Sequence, residues 1–177
     1  MKTKPILILL TLSTVLFLTN CKEKPQEVAE VVVEEVKKVD LINDEFPEAK
    51  EEVIKTFGAI AQSLKDGDMD KLISFHAYGP KFTEFNAGAP RVGSKENEAH
   101  ERKVFGSVTE VVKFDAKDLK VAVYGDVANV TFHSDFHLKF GEDLVVVNNQ
   151  ITLLFLKTAD GWKIVHEHHS PLNKENS

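Results

Sequence analysis

The sequence predicts an α+β fold, with three N-terminal helices followed by an antiparallel sheet. Three observations carry this reading. From Ala49 to Leu64 apolar residues recur at steps of three and four, the period of one buried helical face. From Val108 onward the period falls to two, the mark of strands. The links between the last four strands carry Gly125-Asp126, Gly141-Glu142 and Asp160-Gly161, which suit tight hairpins. Helices first and an antiparallel meander afterwards is the α+β order.

The first helix has Asn43 or Asp44 as its cap and Pro47 in its first turn, with glutamates near the positive helix end. Ala49, Val53, Phe57, Ile60, Ala61 and Leu64 form its core stripe. Asp66-Gly67 stops it, and Asp68 caps a short second helix from Met69 to about His76. The stretch AYGPKFTEFNAGAPRVG is broken by Gly and Pro and reads as loop. Ser94 then caps a third helix over about Lys95–Phe105, polar for most of its length and therefore expected to be exposed. Five strands follow, Val108–Phe114, Leu119–Tyr124, Val127–Phe140, Leu144–Lys157 and Trp162–Ser170.

Ahead of this domain, Lys2 and Lys4 precede an apolar stretch from Ile6 to Leu18. It is shorter than the ~20 residues a spanning helix needs, so residues 1–20 read as a signal peptide. Its end, Leu18-Thr19-Asn20-Cys21, resembles a bacterial lipobox, with Asn20 in place of the usual small residue before the Cys. The resemblance implies lipid, palmitate included, on Cys21, and hence a membrane-anchored protein of the bacterial cell envelope. It would face the periplasm or stand on the cell surface, in a Gram-negative cell. Two acyl chains already give stable attachment. Residues 21–43 are charged and valine-rich and read as a tether, with a short helix over Glu27–Val39 as an option. The folded domain spans 44–173, and 174–177 form a tail.

Cys21 is the only cysteine of the 177 residues, which excludes thiol catalysis and cysteine metal ligation in the domain. Acids outnumber bases, 28 against 22, with no basic stripe, so nucleic acid is not an expected partner.

Four segments carry a family resemblance: LKDGDMDKLISF, RVGSKE, VYGDVANVTF and ITLLFLKTADGWKIVHEHHS. In this order and spacing, over about 44–173, they resemble the SnoaL-like branch of the nuclear transport factor 2-like superfamily. The resemblance implies a cone, with the three N-terminal helices packed in a strongly curved antiparallel sheet and a pocket at its open end, and homodimers formed through the sheet. The closing strand is also similar to that of the calcium/calmodulin-dependent kinase II association domain, matching at Trp162, Val165, His166, His168 and Ser170. His169 stands where that domain has an arginine, so an arginine-lined acid-binding pocket is not carried over.

Candidate site residues gather at the closing strand and the end of the second helix. Strand parity puts Trp162, Ile164, His166, His168 and Ser170 on one side, and Lys163, Val165, Glu167 and His169 on the other. The pocket is assigned His76, Tyr78, Gln150, Trp162, His166, His168 and His169. Among these, His76, Tyr78, His168 and His169 are the candidates for acid–base work, which needs a titratable group in a desolvated site. A His166–His168 metal pair would need a third ligand from His133, Asp135 or His137. Those three share one face but span roughly 13 Å at ~3.3 Å per residue, so at most two could join. An apolar stripe, Val130, Phe132, Phe136, Leu138 and Phe140, lies opposite them, which places them on the polar side. No metal is therefore assigned, and no cofactor.

There is no P-loop, nucleophile elbow, dinucleotide glycine motif or HExxH. With the fold motifs present and familiar catalytic signatures missing, the expectation is a non-catalytic module that binds a small apolar or acidic ligand or mediates assembly. The alternatives are an isomerase- or cyclase-like acid–base enzyme using His76 with His168 or His169, and a divalent-metal binder.

Overall fold

Pro47–Asp66 form the first helix, α1, in a computed structural model that describes residues 38–89 and 93–172. The expected signal peptide, Cys21, the expected tether through Lys37 with most of its optional helix, and the 174–177 tail lie outside the described residues. Helix α1 buries Val53, Ile60 and Leu64 and ends on Gly67, whose left-handed φ of 69° a residue with a side chain adopts at a cost. Its start differs from the expected cap. Asp40 accepts backbone N–H bonds from Ile42 and Asn43, and Asp44 Oδ2 accepts from Asp40 N at 3.0 Å. That turn engages Asp44, and the N-cap falls on Phe46, which makes no side-chain cap bond.

Met69–Ser74 form α2, capped by Asp68, whose side chain accepts from Lys71 N. Ser94–Phe105 form α3. Ser94 does not cap it; its hydroxyl accepts from Gly79 N at 2.8 Å and donates to Gly79 O at 2.9 Å, fastening the helix start to the loop after α2. Nor is α3 wholly exposed, since Asn97 and Glu101 are buried.

Among the described residues six strands make one sheet: β1 Thr83–Asn86, β2 Glu110–Tyr124, β3 Val127–Phe140, β4 Asp143–Val147, β5 Asn149–Thr158 and β6 Gly161–Pro171. Their order is β1-β6-β5-β3-β2, with β4 also on β3. The expected strongly curved antiparallel cone is corrected here. The loop after α2 contains a strand, β1, which arrives along the sheet edge and runs parallel to β6, so the sheet is mixed. The outer edges of β1 and β2 do not meet, and the sheet stays open, without strong curl. What holds is an α+β domain of three helices and a mixed sheet.

Two strand boundaries also move. The segments expected at Val108–Phe114 and Leu119–Tyr124 are one strand, β2, with an irregularity between Lys117 and Lys120 where Asp118 has φ 54°. The single strand expected over Leu144–Lys157 is broken at Asn148 into β4 and β5, both on β3. Ser134 on β3 spans the break: its hydroxyl donates to Val147 O and accepts from Asn149 N.

The core lies between α1, α2 and the inner sheet face, around Val53, Val130, Phe155 and Ile164. Phe155 is fully buried. Phe155→Ala should therefore cost about 3–5 kcal/mol, read as a lower urea midpoint with an unchanged slope.

Candidate functional site

Strand β6 carries the decisive local feature. Leu154 pairs with His166 but the next residue, Phe155, pairs with Ile164, so Val165 is an extra residue in β6. Such a bulge reverses the alternation beyond it. Trp162 and Ile164 point into the core before it, and Glu167 and His169 point inward after it, opposite Leu153 and Ile151. His166 and His168 are turned to the outer face.

The chain leaving α2 is tied to β6 at the same point. Ile164 N donates to Phe75 O and Ala77 N donates to Ile164 O, both at 2.8 Å, forming a parallel bridge at His76. This holds the His76 ring beside Glu167. His76 Nε2 lies 2.6 Å from Glu167 Oε1, with both side chains buried. His169 Nε2 lies 3.1 Å from Glu167 Oε2. One buried carboxylate thus joins two imidazoles. Burial alone would push the Glu167 carboxyl up, but hydrogen bonds from His169 and His76 outweigh it and hold the group below the usual carboxylate range.

The protons follow from the partners. His76 Nδ1 is 3.2 Å from Leu72 O, and a carbonyl only accepts, so Nδ1 carries hydrogen. Its Nε2 shares one proton with Glu167. Toward the ionised carboxylate His169 presents Nε2–H, which leaves Nδ1 with its lone pair when the ring is neutral. Among the described residues, Nδ1 of His169 has no hydrogen-bond partner.

These groups form one end of a cavity of ≈ 70 Å³. Five phenylalanines, Phe57, Phe105, Phe114, Phe132 and Phe136, supply much of its wall, and Ile151, Leu153 and Ile164 its sheet side. Phe114 and Phe136 stack with centroids 3.9 Å apart, and Phe57 meets Phe132 edge-on at 5.1 Å. Glu101 of α3 completes the polar end. Pockets for drug-sized ligands measure roughly 300–1,000 Å³, so this space suits a small ligand.

The sequence-predicted residues scatter around this centre. His76 and His169 line the cavity. Tyr78 stacks on His76 at 4.9 Å and its hydroxyl donates to Asn97 Oδ1, so it stands behind the wall. Burial, then the nearby charges of Glu101 and Glu167, push its phenol up, keeping it a donor. Trp162 is a core residue whose indole N–H donates to Glu52 Oε2 at 2.9 Å. Gln150 borders a separate groove with Asp118, Lys120, His133 and Thr152. His166 lies 2.7 Å from Thr83 Oγ1, and His168 is exposed beside Phe85, both away from the cavity because of the bulge. Glu167, Glu101 and the phenylalanine wall were not assigned to the pocket from sequence. The available signal was the shared parity of Glu167 and His169, which pointed to the wrong face.

His133, Asp135 and His137 are held in ion pairs on the outer face. His133 meets Asp118 at 3.0 Å, and Asp135 meets Lys113, Lys117 and His137 at 2.6, 2.7 and 2.9 Å. The lysine hydrogen bonds hold the Asp135 carboxyl far below its ordinary value. Among the described residues no group of three or more His, Cys, Asp or Glu side chains could hold a metal ion.

A family model described as a SnoaL-like domain matches residues 53–174. Among solved structures, a candidate dehydratase of the NTF2-like family from Streptomyces avermitilis is 24% identical, with TM-score 0.65, covering 72% of this chain and 99% of its own. A candidate aromatic ring hydroxylase from Novosphingobium aromaticivorans is 17% identical, with TM-score 0.61 and coverage of 72% and 92%. A candidate calcium/calmodulin-dependent kinase II association domain from Exiguobacterium sibiricum is 13% identical, with TM-score 0.57 and coverage of 76% and 99%. At these identities the likeness is one of fold. No curated protein matches the chain in sequence.

The low-held Glu167 carboxyl has a signed consequence. Its ionised form adds stability that is complete above the unfolded glutamate pKa, about 4.3, and is lost as pH falls through the lower folded value. Glu167→Gln should cost about 1–3 kcal/mol at pH 7. The difference from the parent should shrink toward pH 3, measured by denaturant unfolding at both pH values. A constant difference would show that the charge is not what Glu167 contributes.

Proposed function

The chain belongs to the SnoaL-like domain family, whose model covers residues 53–174, and from that premise we propose an acid–base enzyme. It moves protons to and from carbon on a small, largely apolar substrate. One observation carries the proposal: His169 lines a phenylalanine-walled cavity with one ring nitrogen held by a buried carboxylate and the other unpartnered among the described residues. A carboxylate that fixes an imidazole tautomer and steadies the imidazolium is what a general base requires.

The expectation of a non-catalytic module is thereby corrected. Structural neighbours are named as a candidate dehydratase and a candidate aromatic ring hydroxylase. The bulge at Val165 adds what strand parity did not foresee, a Glu–His pair turned inward together.

The reaction class that fits without further reagents is elimination of water, or isomerisation, next to an activating group. His169 Nδ1 takes a proton from carbon, and the C–H electron pair becomes the new double bond. The β-oxygen then leaves as water, with the proton returned from Nδ1, so substrate equals alkene plus water. Returning the proton to a different carbon gives isomerisation instead. Glu167 stays ionised and steadies the charge on His169, while His76, with both nitrogens engaged, anchors Glu167.

The envelope placement enters as a second part of the proposal, supported by the lysines, apolar run and Cys21 in register. Expressed in a bacterial host, the full chain should fractionate with membranes, and Cys21→Ser should release it. Retention of the Cys21→Ser chain in the membrane would overturn the lipid anchor.

The catalytic reading is tested on β-hydroxy ketones carrying one aromatic ring, with enone formation followed by ultraviolet absorbance. Wild-type protein should accelerate water loss, and His169→Ala should lower the rate by about 10²–10⁴-fold with the fold intact by circular dichroism. Rates that are equal in wild type and His169→Ala across the panel would sink it.

A further inference from the structure

Among the described residues Ile42 is the most exposed large apolar side chain, 78% exposed, and an ordered turn puts it there. The Asp40 carboxylate accepts from Ile42 N, Asn43 N and Asn43 Nδ2 at 3.0, 3.1 and 2.7 Å, and Asp44 N donates to Asp40 O at 2.9 Å. These bonds fix Leu41 and Ile42 at the tip of the turn. Leu41 lies against Gly125, between β2 and β3, while Ile42 reaches solvent. Two grooves follow where α1 meets β2, one bordered by Ile42 and Tyr124, the other by Ile54 and Leu119. Lys50, Val121 and Ala122 border both, so the surface is continuous. Ile54, Leu119 and Tyr124 are exposed on it, and exposed Val39 stands just ahead of the turn. Exposed apolar side chains scattered singly need no account, but a gathering of them at one edge marks an interaction surface.

We propose that this surface docks on a neutral phospholipid bilayer and so orients the domain on the membrane that carries it. The inference goes beyond the acid–base reading and rests on the proposed lipid at Cys21. Only residues 22–37 separate Cys21 from Lys38. A lipid on Cys21 therefore keeps Lys38 within roughly 55 Å of the membrane, at ~3.4 Å per residue. The patch begins at the next residue, Val39, where the chain departs toward the anchor. A tether of this length holds the domain at an effective concentration on the order of millimolar, so weak apolar contact suffices. Charge decides the kind of surface. Asp40, Asp44 and Glu45 flank Ile42, and Asp118 precedes Leu119, against Lys50 and Lys120. That balance gives no attraction to anionic headgroups. Tyr124 adds an amphipathic ring, which suits the boundary between lipid and water.

Reporter tryptophans test this in the full chain, reconstituted into phosphatidylcholine vesicles. The natural Trp162 is buried in the core and supplies a constant background. Ile42→Trp should give blue-shifted emission that brominated phosphatidylcholine quenches. Leu144→Trp, at an exposed position of β4, should give neither. Adding Ile54→Asp and Leu119→Asp to Ile42→Trp should remove the quenching, with the fold intact by circular dichroism. Vesicle flotation, measured alongside, reports the anchor: it should be the same with and without the aspartates and be lost on Cys21→Ser. A failed anchor is then distinguishable from a failed docking surface. Anionic phosphatidylglycerol in the vesicles should not raise the quenching. Four results would overturn the docking surface in chains that float. They are equal quenching at positions 42 and 144, quenching that survives the aspartates, quenching raised by phosphatidylglycerol, and a blue shift without vesicles that grows with protein concentration. The last would assign the surface to a second copy of the chain. Parent chains that do not float would overturn the proposal together with its anchor.

Discussion

The carboxylate of Glu167, 4% exposed, is the constraint on which the domain's arrangement turns. An ionised group in an apolar interior is tolerated only when its oxygens are paired. One oxygen is served from the end of α2 by His76, the other from two residues along its own strand by His169. Satisfying it therefore fixes where the helical layer meets the closing strand. The backbone enforces the same junction, since the 75–77 segment pairs with β6 below the bulge and β1 pairs with β6 above it. The extra residue, Val165, lies between these two pairings, and without it Glu167 and His169 would face solvent.

The two faces of the sheet solve opposite problems. On the outer face, charges are numerous and water is at hand, so Asp135 collects Lys113, Lys117 and His137 in a network of partly exposed pairs. Such pairs add little to stability at the surface. On the inner face, aromatic rings pack on one another and leave a small space where the helices stop short of the strands. Apolar walls around a paired carboxylate strengthen every interaction it makes, because little water competes. The proposed chemistry draws on this contrast between wall and floor.

Local signals in the sequence were sufficient for what is locally determined. The stripe from Val53 to Leu64 and the stop at Gly67 place α1, and the turn pairs at Gly125, Gly141 and Asp160 place the hairpins. What escaped was set by distant partners. Strand β1 is four residues inside a Gly- and Pro-rich stretch and exists because β6 offers it an edge. The break at Asn148 depends on Ser134 of the neighbouring strand, and the bulge at Val165 on register with β5. Period-two parity holds only while pairing is regular, so one unseen bulge moved His166 and His168 out of the site and Glu167 into it. His76 and His169 were visible as candidates by residue type and position. Trp162 and Gln150 were not separable from them without knowing which face each one occupies.

The two inward histidines differ in a way that bears on the proposed acid–base chemistry. His76 spends both nitrogens, Nδ1 on the Leu72 carbonyl and Nε2 on Glu167, and so has no lone pair to offer a substrate. His169 spends one. The closer contact to Glu167 belongs to His76, 2.6 Å against 3.1 Å, so under the proposed reaction the structural bond is the tighter and the working one the looser. That ordering suits a base. A ring held too strongly by the carboxylate would keep its charge after taking a proton, whereas the longer bond lets His169 give the proton back. The carboxylate is then positioned by the histidine that cannot react, and in turn positions the one that can.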